Sequence, residues 1–163
     1  MTITTTLEFD IPPELERALR DGKFALEPAR DFISRSTLQM FAKAVENAPV
    51  GVAGGGGGLR GSIDTEFEDN GLTGVVGSDL NYAPHVEFGT RPHWPPWREG
   101  SPLARWAQLR GIPAFLVARK IAARGTPAQK WMERAVTHTR DNVIPDELTR
   151  LGKDIQAEWV KLG

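Results

Sequence analysis

The sequence predicts an α+β fold in which a small antiparallel sheet packs against a long N-terminal helix, with additional C-terminal helices. Three observations predict it: a helical stripe over 28–48, a period-two stretch from Ile63 and a second helical stripe from Ile144. Helices that flank one hairpin, without alternating with many strands, are typical of this class. The chain has 163 residues, 40% of them apolar, and we expect one domain over 1–163 that buries its core without metal or disulfides.

Two helices are predicted before the hairpin. A short one spans 14–20, because two prolines precede it and Gly22 follows it. The long one spans 28–48 and ends before Pro49, since a residue that precedes proline avoids the helical region. Its apolar side chains recur on one face of a helix, and they are Phe32, Ile33, Met40, Phe41, Ala44 and Val45.

A glycine-rich segment over 51–58 separates the long helix from the hairpin. Five consecutive glycines have no side chains to pack and a high entropic cost of ordering. The segment is predicted to be a flexible loop that orders only on assembly. The candidate assembly residues are Gly54, Gly55, Gly56, Gly57 and Gly58.

The hairpin is predicted from alternation and a turn. Ile63, Thr65 and Phe67 alternate with three acidic residues, which indicates a strand with one buried and one solvated face. The turn is predicted at 69–71 and the returning strand at 72–77.

The C-terminal half is predicted to be a stiff aromatic loop followed by helices. Prolines and tryptophans over 89–100 exclude a regular helix or central strand. Ser101 and Thr126 each precede a proline and are predicted to cap helices, so two or three short helices are expected within 102–139. A C-terminal amphipathic helix is predicted over about 144–162, with Pro145 near its start.

Composition excludes several functions. The formal net charge is −1, so no overall field attracts nucleic acid or an anionic membrane. The absence of cysteine excludes thiolate metal sites and a cysteine nucleophile. No stretch approaches the length of a membrane span, and the N-terminus lacks the pattern of a secretion signal.

Catalytic motifs are weak. Residues 56–61 match G-x-G-x-x-G only through the glycine run, with a helix before and a strand after, the reverse of the dinucleotide-binding context. His85 and Glu87 resemble half of a zinc deaminase motif whose cysteines are missing. No catalytic, cofactor or metal residue is therefore predicted, although a small hydrolase with a dispersed site remains an alternative.

Three segments carry a family resemblance. They are 48–50 leading to 58–63, then Tyr-Ala-Pro-His-Val-Glu-Phe-Gly-Thr over 82–90, then Gly-Thr-Pro-Ala-Gln-Lys-Trp-Met over 125–132. In this order they resemble the tail-completion (neck) family of long-tailed, siphovirus-type phages, across about two thirds of the chain. The chain departs from that family in its expanded glycine run and its long C-terminal helix.

The resemblance implies a structural virion protein without enzymatic activity, located in the neck between head and tail and assembled in the host cytoplasm. It implies a ring of six subunits that contacts a head-completion (stopper) protein and the tail terminator or tail tube. Genome DNA would pass through without sequence-specific binding, and no membrane is involved. A tail terminator or a minor tail protein is the alternative within this class.

Two groups of residues are candidates for that function. Tyr82, Glu87, Arg91, Trp94 and Trp97 are predicted to contribute to contacts between subunits or layers, because they combine aromatic anchors with charge. Tyr82 and Phe88 are equally compatible with core packing, and Trp94 and Trp97 are equally compatible with packing inside their own loop. Acidic side chains that would keep DNA from adhering to a channel, or that simply face bulk solvent, are Asp64, Glu66 and Glu68.

Overall fold

A computed structural model describes residues 3–6, 22–50 and 58–160. Within these ranges the fold is α+β, as predicted: a small antiparallel sheet packs against a long helix, and further helices follow. The short helix predicted at 14–20, and all of the glycine segment except Gly58, lie outside the described residues.

Helix α1 (Leu26–Asn47) is the long helix predicted over 28–48. At its end Ala48 takes an extended conformation with ψ of 135°, as expected for a residue that precedes proline. The predicted apolar stripe is buried at Phe32, Ile33, Met40 and Ala44, so this face holds the helix against the rest of the chain.

The sheet has three antiparallel strands in the order β1-β3-β2: β1 (Ile3–Thr6), β2 (Ile63–Glu68) and β3 (Thr73–Ser78). Ile3 and Ile63 both lie opposite Ser78. The predicted hairpin is therefore confirmed, with its turn at Asp69–Gly71, whereas β1 was not predicted.

Helix α1 crosses the sheet at a close approach. A Cβ atom placed on Gly74 would lie 1.9 Å from Thr37 Oγ1, far inside any real contact. Val76, two residues further along the same face of β3, is fully buried. The side of the sheet that carries Gly74 and Val76 is thus the one that α1 covers.

Five helices follow: α2 (Ala83–Phe88), α3 (Pro102–Leu109), α4 (Ala114–Arg124), α5 (Trp131–His138) and α6 (Ile144–Val160). Three of them lie within 102–139, as predicted. The Ser101 hydroxyl caps α3 by accepting from Ala104 N at 3.1 Å, also as predicted. The cap predicted at Thr126 is wrong, because the next helix begins five residues later and Thr126 bonds Thr90.

Helices α5 and α6 are joined by a π-helical turn, Thr139–Val143. The Ile144 N–H bonds the carbonyl of Thr139, five residues back. Pro145 follows directly and has no N–H to donate, so the register of helical hydrogen bonds changes where proline would interrupt it. The predicted C-terminal helix is confirmed as a continuation of α5.

Helix α6 packs against α1 through an ion pair and an apolar contact. Arg35 Nε donates to Glu147 Oε2 at 2.7 Å. This hydrogen bond and the charges of Glu147 and Asp154 raise the pKa of Arg35 above its usual value, although burial acts in the opposite direction. Ile144 is buried beside Phe32, whereas Leu148 is exposed, so only part of the apolar stripe of α6 is covered.

The main core lies where α1, the hairpin, α2 and α5 meet. Its buried members come from five separate parts of the chain, and they are Met40, Ala44, Ala48, Leu59, Ile63, Val76, Ala83, Trp131, Met132 and Ala135.

Candidate functional site

Glu87 is an internal anchor. Its side chain is only 3% exposed, and its carboxylate accepts from the backbone N–H groups of Met132 and Glu133, each at 2.9 Å. These N–H groups belong to the first turn of α5, which has no partners for them within the helix. The assignment of Glu87 to a subunit interface is therefore corrected: burial removes it from the surface, and it fastens α2 to α5.

Backbone contacts extend this junction. Gln129 N donates to Val86 O at 3.0 Å, and Lys130 N donates to Glu87 O at 3.1 Å. Lys130 takes a left-handed conformation with φ of 51° at the point where the chain turns into α5. The segment that precedes α5 is thereby held along α2.

Two threonines close a loop of the chain next to this junction. Thr90 and Thr126 form an isolated antiparallel bridge, and their hydroxyl oxygens lie 3.0 Å apart. The neighbouring glycines permit the crossing, since a Cβ on Gly125 would lie 1.8 Å from Thr90 O and one on Gly89 would lie 2.4 Å from Thr126 O. Both glycines also have positive φ.

Residues 90–126, here called the arm, begin and end at this bridge. The arm contains the proline-rich loop, α3 and α4. Its two helices pack on each other, and among the described elements neither makes substantial contact with another helix or strand. Ala107 and Ala118 are fully buried at the centre of the arm.

The arm places the predicted tryptophans on a shared surface with a residue that the sequence did not single out. Trp94 stacks on Phe115 with ring centroids 6.3 Å apart, and Trp97 meets the same ring edge-on at 5.3 Å. Trp94 is 60% and Phe115 is 44% exposed. Arg91, at the base of the arm, is exposed as well.

Further apolar side chains of the arm are exposed, namely Leu109, Ile112 and Leu116. Trp94, Trp97 and Phe115, whose rings contact one another, form what we call the aromatic face. Isolated exposed apolar residues are ordinary, whereas exposed aromatic rings that contact one another are typical of an interaction surface.

Tyr82 and Phe88 lie at the two ends of α2 and are exposed, Phe88 to 71%. The core-packing interpretation is therefore wrong for both. The residue of α2 that is buried in the main core is Ala83. Tyr82 remains a surface candidate, separate from the aromatic face.

The three predicted acidic residues of β2 are all exposed. They line an open groove of about 860 Å³ together with Asp79 and with Val75 and Gly77 of β3. On the opposite side of β2, Ile63 is buried but Phe67 is 42% exposed, so the predicted buried face is wrong at its far end. The acidic residues of this groove, here called the acidic groove, are Asp64, Glu66, Glu68 and Asp79.

Gly58 is the one assembly-loop candidate that can be located. It has φ of 73° and starts the 3-10 turn Leu59–Ser62. Beside it, Arg60 donates to Ala48 O at 2.8 Å and to Glu46 O at 3.2 Å. Arg60 belongs to the first of the three segments that carry the resemblance, and it joins the end of α1 to the start of the hairpin.

Within residues 22–50 and 58–160, no group of three or more His, Asp or Glu side chains is placed to hold a metal ion. Among the described residues, no helix combines the length and the apolar character needed to cross a bilayer. His85 is exposed, so it does not join the buried Glu87 in one site.

No family model, curated protein or solved structure matches this chain.

Proposed function

We propose that this chain is a structural phage protein: a ring-forming subunit of the neck, or tail-completion component, at the head-to-tail junction. The proposal starts from the resemblance of three sequence segments to that family. What supports it in three dimensions is that the segments, although far apart in sequence, meet in one junction.

The contacts among these segments carry the proposal. Arg60 of the first segment bonds Ala48 within the same segment. Glu87 of the second bonds the turn that begins at Trp131 of the third. Asn47 Nδ2, next to the first segment, donates to Trp131 O at 3.3 Å. In a family without catalytic activity, the residues expected to recur as a sequence pattern are those that hold the fold together.

Two polar residues of the segments, Glu87 and Thr90, are engaged within the fold, and this bears on the choice between binding and catalysis. A nucleophile or general acid must reach a substrate. Glu87 is instead buried against backbone N–H groups, and Thr90 bonds Thr126. Function then depends on surfaces, and the described chain offers the aromatic face and the acidic groove.

A ring subunit needs two different faces that contact successive copies, and axial surfaces for adjoining layers. In this proposal those layers are a head-completion protein on one side and a tail terminator or tail tube on the other. Genome DNA passes through the ring without sequence-specific contacts.

The decisive experiment removes the chain from an assembling particle. With an amber allele of its gene, we expect DNA-filled heads and finished tails to accumulate separately, and added wild-type protein to join them. Intact particles in the absence of the chain would contradict the proposal. Tails of abnormal length would instead indicate a tail terminator, and localisation of the chain away from the neck would indicate a minor tail protein.

A further inference from the structure

The charges of this chain are segregated, although its net charge is near zero. Between residues 91 and 124, within the arm, there are seven basic residues and one acidic residue. Between residues 61 and 79, which hold the hairpin, there are five acidic residues and no basic one. The balance of twenty basic and twenty-one acidic residues therefore conceals two regions of opposite sign.

We propose that the arm of one copy docks on the acidic groove of a second copy, so that copies associate head to tail. The aromatic face supplies the apolar centre of the contact, and the surrounding arginines and Lys120 meet the carboxylates of the groove. The inference deepens the proposed function by naming the two faces through which ring subunits would contact each other.

The exposed aromatic face of the arm favours a protein partner. Trp94 and Phe115 are stacked, so their geometry is preorganised, and aromatic anchors of this kind dominate protein interfaces. Arg119, one turn after Phe115 on α4, lies on the same side of that helix, and Lys120 and Arg124 are also exposed on α4. An apolar centre with a charged rim is the usual composition of an interface between proteins.

The acidic groove fits this partner by charge and by shape. Glu66 and Glu68 are exposed, and neither makes an ion pair within the described chain. Val75 and Gly77 form a floor without long side chains. A concave acidic strand face can therefore accept a convex basic element, since Glu66 and Glu68 make no ion pair with any described residue.

The arm and the acidic groove belong to the same chain, yet they do not pair with each other within one copy. Neither α3 nor α4 makes substantial contact with the strands of its own copy. A contact between two different faces of identical subunits is heterologous, so it propagates from copy to copy and closes into a ring when the rotation permits. A second copy is therefore the partner that charge complementarity selects.

The test is a charge swap on the full chain, with association measured by sedimentation velocity and folding by circular dichroism. Variant A carries Arg119→Glu and Lys120→Glu in the arm. Variant B carries Glu66→Lys and Glu68→Lys in the groove. A control carries Arg150→Glu and Lys153→Glu, which make the same charge change as variant A at exposed positions on α6.

We expect wild type and control to associate, and A and B each to associate at least about tenfold more weakly, because like charges then face each other. An equimolar mixture of A and B should recover pairing, since the reversed arm of A now fits the reversed groove of B. Salt should weaken the wild-type association.

Three results would overturn the inference. One is a wild-type chain that stays a 17.9 kDa monomer up to its solubility limit. Another is association of A or B equal to that of the control. The third is a combination of two measurements: variant A loses binding to duplex DNA, while the self-association of variant B equals that of the wild type. The arm would then be a phosphate-binding surface.

Failure of this inference is distinguishable from failure of the proposed function. If variant A still joins heads to tails as wild type does, the faces are wrong and the neck assignment stands. If the charge swap behaves as expected but the chain is missing from particles, the faces stand and the neck assignment fails.

Discussion

Replacement of Glu87 by alanine tests whether the most specific segment of the chain serves the fold or a surface. The substitution removes a carboxylate that accepts two backbone hydrogen bonds at 2.9 Å while only 3% of the residue is exposed. It leaves two N–H groups at the start of α5 without a partner. An unsatisfied buried donor costs about 1–3 kcal/mol, and loss of an anion at a helix N-terminus adds up to about 2 kcal/mol.

Because these contributions overlap, we expect Glu87→Ala to lower the free energy of unfolding by about 3–4 kcal/mol. For a chain of this size that corresponds to a fall in Tm of about 6–16 °C. Glu87→Gln keeps one acceptor oxygen but turns an amide donor toward the other N–H group, so a loss of about 2 kcal/mol is expected.

The assay is urea unfolding followed by circular dichroism, with Glu133→Ala as the matched control. Glu133 is exposed, and among the described residues its side chain pairs with Lys130 three residues earlier, a contact worth less than about 1 kcal/mol. If Glu87→Ala is no more destabilising than the control and weakens self-association instead, Glu87 belongs to an interface and the anchor assignment is refuted.

Three further substitutions test the close contacts of the fold, two by the same unfolding assay and one by hydrogen exchange. Gly74→Ala should cost about 1–3 kcal/mol through its clash with Thr37, and Thr37→Ala should restore part of the loss; no recovery would refute the contact. Gly125→Ala should open the base of the arm, since its Cβ meets Thr90 O, and faster hydrogen exchange in α4 with unchanged exchange in α1 would reveal it. Arg60→Ala should cost about 1–3 kcal/mol and Arg60→Lys less, because only the guanidinium reaches two carbonyls; equal losses would contradict this geometry.

The parts of the fold that the sequence predicted are those set by local pattern. Helix α1 follows from its apolar spacing and Pro49, and the cap at Ser101 follows from a hydroxyl before proline. Strand β1 carries three threonines and one isoleucine, too little alternation to indicate a strand, and it is defined by pairing with β3 some seventy residues away. Long-range pairing of this kind leaves no local signal.

The position of Glu87 was not predictable for the same reason. Its partners are the N–H groups of Met132 and Glu133, in a helix that begins forty-four residues after Glu87. No property of residues 82–90 indicates that this helix will lie beside them. Burial of a carboxylate also runs against its usual preference for water. Only the fold shows that the residue is held by donors which the helix itself cannot satisfy.

The charge of the chain illustrates a different limit. A net charge of −1 predicts no strong overall field, but attraction between surfaces depends on where charges lie within a Debye length, about 8–10 Å at moderate salt. The arm and the hairpin carry charges of opposite sign, and neither helix of the arm makes substantial contact with the described strands of its own copy. A fold that separates complementary surfaces within one copy leaves them available to the next copy, which is the physical requirement for a chain that works by assembly.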